Sequence, residues 1–290
     1  MTDGDRSAIA LPVVEGEGGL PKVVLTHPGG RAEVYLHGAH VTSWRSASGA
    51  ERLFLSSRSR FSADASMRGG VPVIFPQFAD QGPLPKHGFA RTAAWTLVSA
   101  HDGSGGRPAE AVLRLADSDA TRAIWPHAFT AELRVSVSER LAIALTIRNP
   151  GDEAFDFTAA LHTYLRVDDV ASVSVEGLEG VRYVDKVDHG EAAVEVSSHL
   201  RIAGETDRVY LDVPGDVRVA GSASGTLVSS REGFPDVVVW NPGREKGDAL
   251  PDMEPGDFAR MLCVECAAAG QPVVLAPGES WTGTQLLAIE

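Results

Sequence analysis

Cysteine is nearly missing from this chain: Cys263 and Cys266 are the only two among 290 residues. Two cysteines cannot build a disulfide framework, and their scarcity fits a reducing compartment. No apolar run approaches the ~20 residues needed to cross a bilayer as a helix. The N-terminus, MTDGDRSAIALPVVEGEGG, has acidic residues where a secretory signal needs basic ones, and its apolar run is short. A cytoplasmic location is therefore expected. Positive charge is also scarce, with 26 Lys and Arg against 39 Asp and Glu and a net charge of −13. That balance argues against nucleic acid or an anionic membrane as partner. A small anionic ligand stays open, because a local cluster of cations dominates inside a pocket. Long amphipathic helical windows, charge blocks, low-complexity linkers and clear repeats are absent as well.

The chain does contain many short runs in which apolar and polar residues alternate, among them AEVYLHGAHVTSW, AELRVSVS, LAIALTIRN, DVVVWNP and MLCVECA. A period of two is the pattern of a half-buried strand, and the Gly, Pro, Asp and Asn between the runs are turn residues. HDGSGGRPAE reads as a hairpin tip, and DRSAIALPV and the stretch around Thr121 as short helical turns. The fold class expected is all-β: one large antiparallel β sandwich spanning 1–290 as a single domain, with 1–18 less ordered.

Polar residues isolated in apolar strands mark candidate chemistry. Glu265 stands alone in RMLCVECA, and a carboxylate there needs a polar cleft or a specific partner. His162 in FTAALHTYL shares a strand face with Ala160 and Tyr164. An isolated His is more often a core residue satisfied by a backbone carbonyl. A neighbouring carboxylate would raise its pKa and let it act as an acid near neutral pH. The CVEC motif is a poor metal site: no second ligand pair exists, and residues three apart on a strand point to opposite faces. His37 and His40 fail as a metal pair for the same reason.

A different kind of signal lies in RGGVPVIFPQFADQGPLPKHGFAR, residues 68–91. Its prolines remove ladder donors, so a regular central strand is excluded and a rigid wall is expected. Lys86, His87 and Arg91 fall within six residues, with Arg68 at the far end. Arginine grips a carboxylate or phosphate in bidentate fashion, and lysine adds a point charge. The alternative is that these arginines make structural salt bridges.

MRGGVPVIFPQF, KHGFAR, WPHAF, LHTYLRV, ETDRVY and CVECA, in that order, resemble the hexose-6-phosphate mutarotases, the glucose-6-phosphate 1-epimerase branch of the aldose 1-epimerase, or galactose-mutarotase-like, group. The resemblance runs from EVYLHGAHVTSW nearly to the C-terminus. It implies a β supersandwich and an isomerase that interconverts sugar anomers without metal or redox cofactor. It implies that His162 is the general acid and Glu265 the general base. His87 would hold the sugar near its ring oxygen, and Asp207 would bind hydroxyls. Arg68, Lys86 and Arg91 would supply the polar and basic binding residues of the sugar-phosphate branch. A sugar phosphate is thus the expected small-molecule partner, of a monomeric protein. The alternatives are an aldose 1-epimerase for unphosphorylated sugars and a non-catalytic carbohydrate-binding sandwich.

Overall fold

The computed structural model describes residues 11–104, 106–221 and 225–290. Alternating side chains become three antiparallel sheets. A four-stranded sheet runs Val14–Glu15, Pro21–His27, Gly30–Tyr35, His40–Ser46. A nine-stranded sheet has at its centre Ser280–Ile289, Leu141–Arg148, Thr130–Val137 and Ala109–Ala116, paired in register over their lengths. An eight-stranded sheet is ordered Glu191–Val194, Arg182–Asp185, Thr206–Tyr210, Asp236–Asn241, Met261–Leu275, Phe155–Leu161 and Val73–Ile74, and Tyr164–Arg166 also pairs with Met261–Leu275. The β-sandwich expectation holds, with an added four-stranded sheet at one flank.

The core lies between the two large sheets. Leu141, Ile143, Leu145 and Ile147 turn inward from one, while Val237, Val239, Leu262, Val264 and Cys266 turn inward from the other. Each fully buried side chain of this size contributes roughly 1.5–3 kcal/mol of burial free energy. The eight-stranded sheet is apolar on its second face as well, where Ile74, Ala160, Val209, Val238 and Ala267 form a smaller cluster. One strand therefore serves both sides: Leu262, Val264, Cys266 and Ala268 enter the main core, while Met261, Cys263, Glu265 and Ala267 face the other way.

The Pro- and Gly-rich segment behaves as its composition requires. Only Val73–Ile74 join the sheet, at its edge, pairing with Ala160 and Leu161. Gly70 has φ of 61°, and a Cβ there would lie 2.3 Å from the Val41 carbonyl oxygen. Two histidines brace the chain before this turn. His37 Nε2 lies 2.7 Å from the Ala65 carbonyl oxygen, and His40 Nε2 lies 2.7 Å from that of Gly69. Both are buried and bonded to backbone through Nε2, while His40 Nδ1 is buried without a hydrogen-bond partner.

At the N-terminus, Val14–Glu15 pairs with Lys22 and Pro21, and Glu17–Gly19 forms a 3-10 turn, while residues 1–10 of the expected less ordered segment lie outside the described residues. The expected helical turn in DRSAIALPV falls largely on residues 1–10, outside the described residues. Thr121 lies in the short helix Asp119–Ile124, capped by Ser118. HDGSGGRPAE links Thr96–His101 to Ala109–Ala116 as a hairpin. No helix among the described residues is long and apolar enough to cross a membrane.

Candidate active site

Strand register creates the central feature. Leu161 pairs with Cys266 and Tyr164 with Cys263, so counting inward sets His162 directly opposite Glu265. Both side chains leave the sheet on the face away from the main core, where His162 Nδ1 lies 3.2 Å from Glu265 Oε1. The approach is not aligned as a hydrogen bond: Nδ1 and Glu265 Oε2 are buried without hydrogen-bond partners. Two unpaired polar atoms in a buried position are costly, which is typical of a place kept for a reacting group.

The ring of His162 is held by aromatic neighbours. Tyr164 stacks on it at 4.8 Å with the rings 10° apart, and Trp240 meets both edge-on at 5.9 Å. His87 approaches from the proline-rich wall, its ring centroid 5.6 Å from that of His162. The chain reaches that point through a left-handed His87, φ 66°, next to a left-handed Gly88, φ 67°. A Cβ on Gly88 would stand 2.2 Å from the Phe75 carbonyl oxygen, so glycine is required there. The Ala79 N–H donates to His87 Nδ1 at 3.2 Å, which leaves the proton of the neutral ring on Nε2.

Arg68, Lys86, His87, Arg91, His162, Asp207 and Glu265, all seven residues singled out from the sequence, line one cavity of about 620 Å³. The two arginines differ in their surroundings. Arg68 is engaged: its guanidinium lies 3.0 Å from Asp252 Oδ2 and donates to the Tyr164 hydroxyl at 3.0 Å. This is the structural salt bridge that the sequence left open as an alternative. Arg91 donates to the Lys86 carbonyl at 2.8 Å and has no carboxylate partner among the described residues. Burial, foremost, and the nearby Arg68 push its pKa down, and a bound anion would reverse that.

Several functional neighbours were not singled out from the sequence. Lys186 arrives on the turn after Arg182–Asp185, with Nζ 4.9 Å from the centroid of the Phe78 ring. Asp252 and Lys246 come from the 241–258 segment, which folds as the helix Gly243–Ala249 and a following turn held by Asn241. Cys263 lies buried beside the central pair; among the described residues, His162, Cys263 and Glu265 are the group whose atoms could jointly meet a metal ion. Burial pushes the Cys263 thiol well up, and Arg68 and Arg91 act on His162 as nearby positive charges. A dication would have to displace a proton from that thiol against those charges, so the trio is a poor fit for a metal. Cys263, weighed in the sequence only as part of CVEC, shares a strand face with Glu265.

Electrostatics correct one expectation. A carboxylate neighbour was expected to raise the pKa of His162. Burial pushes it well below its ordinary value instead, aided by His87, Arg68 and Arg91. Burial likewise lifts Glu265 well above the carboxylate range, with Asp207 adding to the effect and Lys186 opposing it. Both shifts disfavour the charged form of the group concerned. His87 is driven down to about 3, by burial first and then by Arg91 and Lys86. Burial also raises Asp207.

Residues 21–288 match the sequence profile of the family described as aldose 1-epimerase. A Cenchrus ciliaris protein named "Putative glucose-6-phosphate 1-epimerase" is 39% identical over 284 residues, covering 93% of this chain and 85% of its own. An Escherichia coli K12 protein of the same name is 36% identical over 279 residues, covering 92% of each. The crystal structure of a "putative mutarotase", YeaD from Salmonella typhimurium, superposes with a TM-score of 0.86 at 31% identity, covering 96% of each chain.

Proposed function

The chain belongs to the aldose 1-epimerase family, and we propose that it interconverts the α and β anomers of a hexose 6-phosphate, glucose 6-phosphate first among them. The observation that carries this reading is one cavity that holds both the His162–Glu265 pair and Arg91, which has no carboxylate partner among the described residues, in a chain of net charge −13. The names borne by its relatives point to the same substrate.

In this mechanism Glu265 takes the proton from the anomeric hydroxyl while His162 delivers one to the ring oxygen. The bond between C1 and the ring oxygen breaks, giving the open-chain aldehyde. Rotation about C1–C2 presents the other carbonyl face. Closure then returns one proton to His162 and takes one from Glu265, so no proton is gained or lost overall. Positioned acid and base groups of this kind each contribute about 10²- to 10⁴-fold.

The mechanism starts from an ionised Glu265 and a protonated His162, the charged forms that burial disfavours. The 6-phosphate eases that start. Arg68 and Arg91 are among the charges that lower the His162 pKa, and a phosphate dianion beside them cancels part of their field. Phosphate binding, remote from C1, thereby favours the imidazolium needed at the ring oxygen. Asp207 and His87 would hold the hydroxyls and the ring.

The test is anomerisation measured by polarimetry or exchange NMR, starting from single anomers of glucose 6-phosphate and of glucose. Strong acceleration of the phosphorylated sugar supports the proposal. Equal acceleration of both would make it a general aldose 1-epimerase, and acceleration of neither would make it a binding sandwich.

A further inference from the structure

The ladder beneath the acid–base pair has a defect, and one side chain repairs it. In a regular antiparallel pairing, Thr163 and Val264 would exchange two backbone hydrogen bonds. Only one is made: Val264 N–H donates to the Thr163 carbonyl at 3.1 Å. The Thr163 N–H turns back to the Leu161 carbonyl at 2.9 Å. The His162 N–H points the other way and bonds to the Pro72 carbonyl at 3.0 Å, in line with the pairing of Ala160 and Leu161 to Val73–Ile74. The ladder to Met261–Leu275 is thus interrupted at the residue after the one that carries the imidazole. The Val264 carbonyl, next to Glu265, loses its ladder donor.

Gln285 fills the gap from the opposite sheet. It sits on the inner face of Ser280–Ile289 and is fully buried at 0% exposure. Its Nε2 donates to the Val264 carbonyl at 3.2 Å and to Ser229 Oγ at 2.9 Å. Its Oε1 accepts from the Thr163 hydroxyl at 2.5 Å. One amide therefore spans the core to grip the residue after His162 and the residue before Glu265. A buried amide is expensive in an otherwise apolar layer unless each polar atom is paired, and here both are.

We infer that Gln285 and Thr163 are positioning residues for the anomerisation, acting through the backbone to set the His162–Glu265 separation. This rests on reading His162 and Glu265 as the acid and base. The amide replaces a ladder bond that would otherwise draw the histidine back into regular strand geometry.

The test compares Gln285→Met, Thr163→Val and Thr163→Ser with Leu25→Ala, a core truncation in the four-stranded sheet. The readouts are kcat and KM for glucose 6-phosphate, the melting temperature, and the NMR shifts of the His162 ring. Gln285→Met and Thr163→Val should lower kcat by about 10- to 100-fold with KM within threefold, and should move the His162 ring signals. Thr163→Ser, which keeps the hydroxyl, should recover kcat to within threefold of the parent. Leu25→Ala should lower the melting temperature without moving the His162 signals or kcat. If Gln285→Met and Thr163→Val lower only the melting temperature, as Leu25→Ala does, the pair is structural and the inference is overturned. If Gln285→Met fails to fold, Thr163→Val against Thr163→Ser decides the matter by the same readouts. Failure of the parent protein to anomerise any sugar would overturn the acid–base reading, whereas the ring signals would still report whether the amide sets the histidine.

Discussion

Replacing Arg91 with alanine separates recognition of the phosphate from the proton transfers. Arg68 already has its charge answered by Asp252 at 3.0 Å and by the Tyr164 hydroxyl, so an anion gains less from it. Arg91 bonds only to the Lys86 carbonyl among the contacts described. A charge-assisted hydrogen bond in a half-buried site contributes about 1.5–3 kcal/mol. If that contact is held in the transition state, its loss lowers kcat/KM for glucose 6-phosphate by about 10- to 150-fold, at about 1.4 kcal/mol per factor of ten. Glucose makes no such contact, so its kcat/KM should not fall. Removing a cation that lowers the His162 pKa should even raise it slightly. Polarimetry on purified anomers of both sugars gives the two ratios directly. A loss of equal size for glucose and glucose 6-phosphate would refute the assignment of Arg91 to the phosphate.

Glu265→Gln should lower kcat by about 10²- to 10⁴-fold while sugar binding persists, as calorimetry with substrate would show. The same variant should be more stable than the parent at pH 8. Burial raises the folded-state pKa of Glu265 above its ordinary 4.5, so its stability contribution is full below that value and lost as pH rises through the folded pKa. A gain of about 0.5–2 kcal/mol is usual when a strained functional group is relieved, and urea midpoints at pH 8 and pH 4.5 should show the gain shrinking at the lower pH. His40 has the opposite dependence. Burial lowers its folded pKa from 6.5 to about 4, so stability is full above pH 6.5 and is lost as pH falls toward 4. At about 1.4 kcal/mol per unit, that amounts to about 3 kcal/mol. Between pH 7.5 and 4, His40→Gln should therefore lose less stability than the parent by about this amount.

What could be read from the sequence followed from local alternation. The run Met261–Ala269 displays its two faces in the order of its letters, and the isolation of His162 and Glu265 in such runs marked them before any pairing was known. Their opposition across the ladder was not legible, because register depends on turns and partners far away in the chain. Asp252 answers Arg68 from a segment distant in sequence, and Lys186 reaches the cavity on the tip of a hairpin. Neither residue has a local pattern that announces it. The direction in which the His162 pKa moves was not legible for a related reason. A neighbouring carboxylate can be guessed from residue types, but the depth of burial that outweighs it belongs to the assembled sheets.

The crowding of cations into one cavity of an acidic molecule also shapes how a ligand arrives. From a distance a doubly negative sugar phosphate meets the field of the whole body, −13, and is repelled. Only at the mouth does it meet Arg91, Lys86 and Lys186. Salt screens the two influences unequally, since the Debye length is about 10 Å at 0.1 M while partly buried pairs are screened much less. Adding modest salt should thus quicken encounter by weakening the far repulsion, and only higher salt should loosen the grip inside. Capture by this protein would run fastest at an intermediate ionic strength, the reverse of the monotonic decline seen when a surface of opposite charge draws its ligand in.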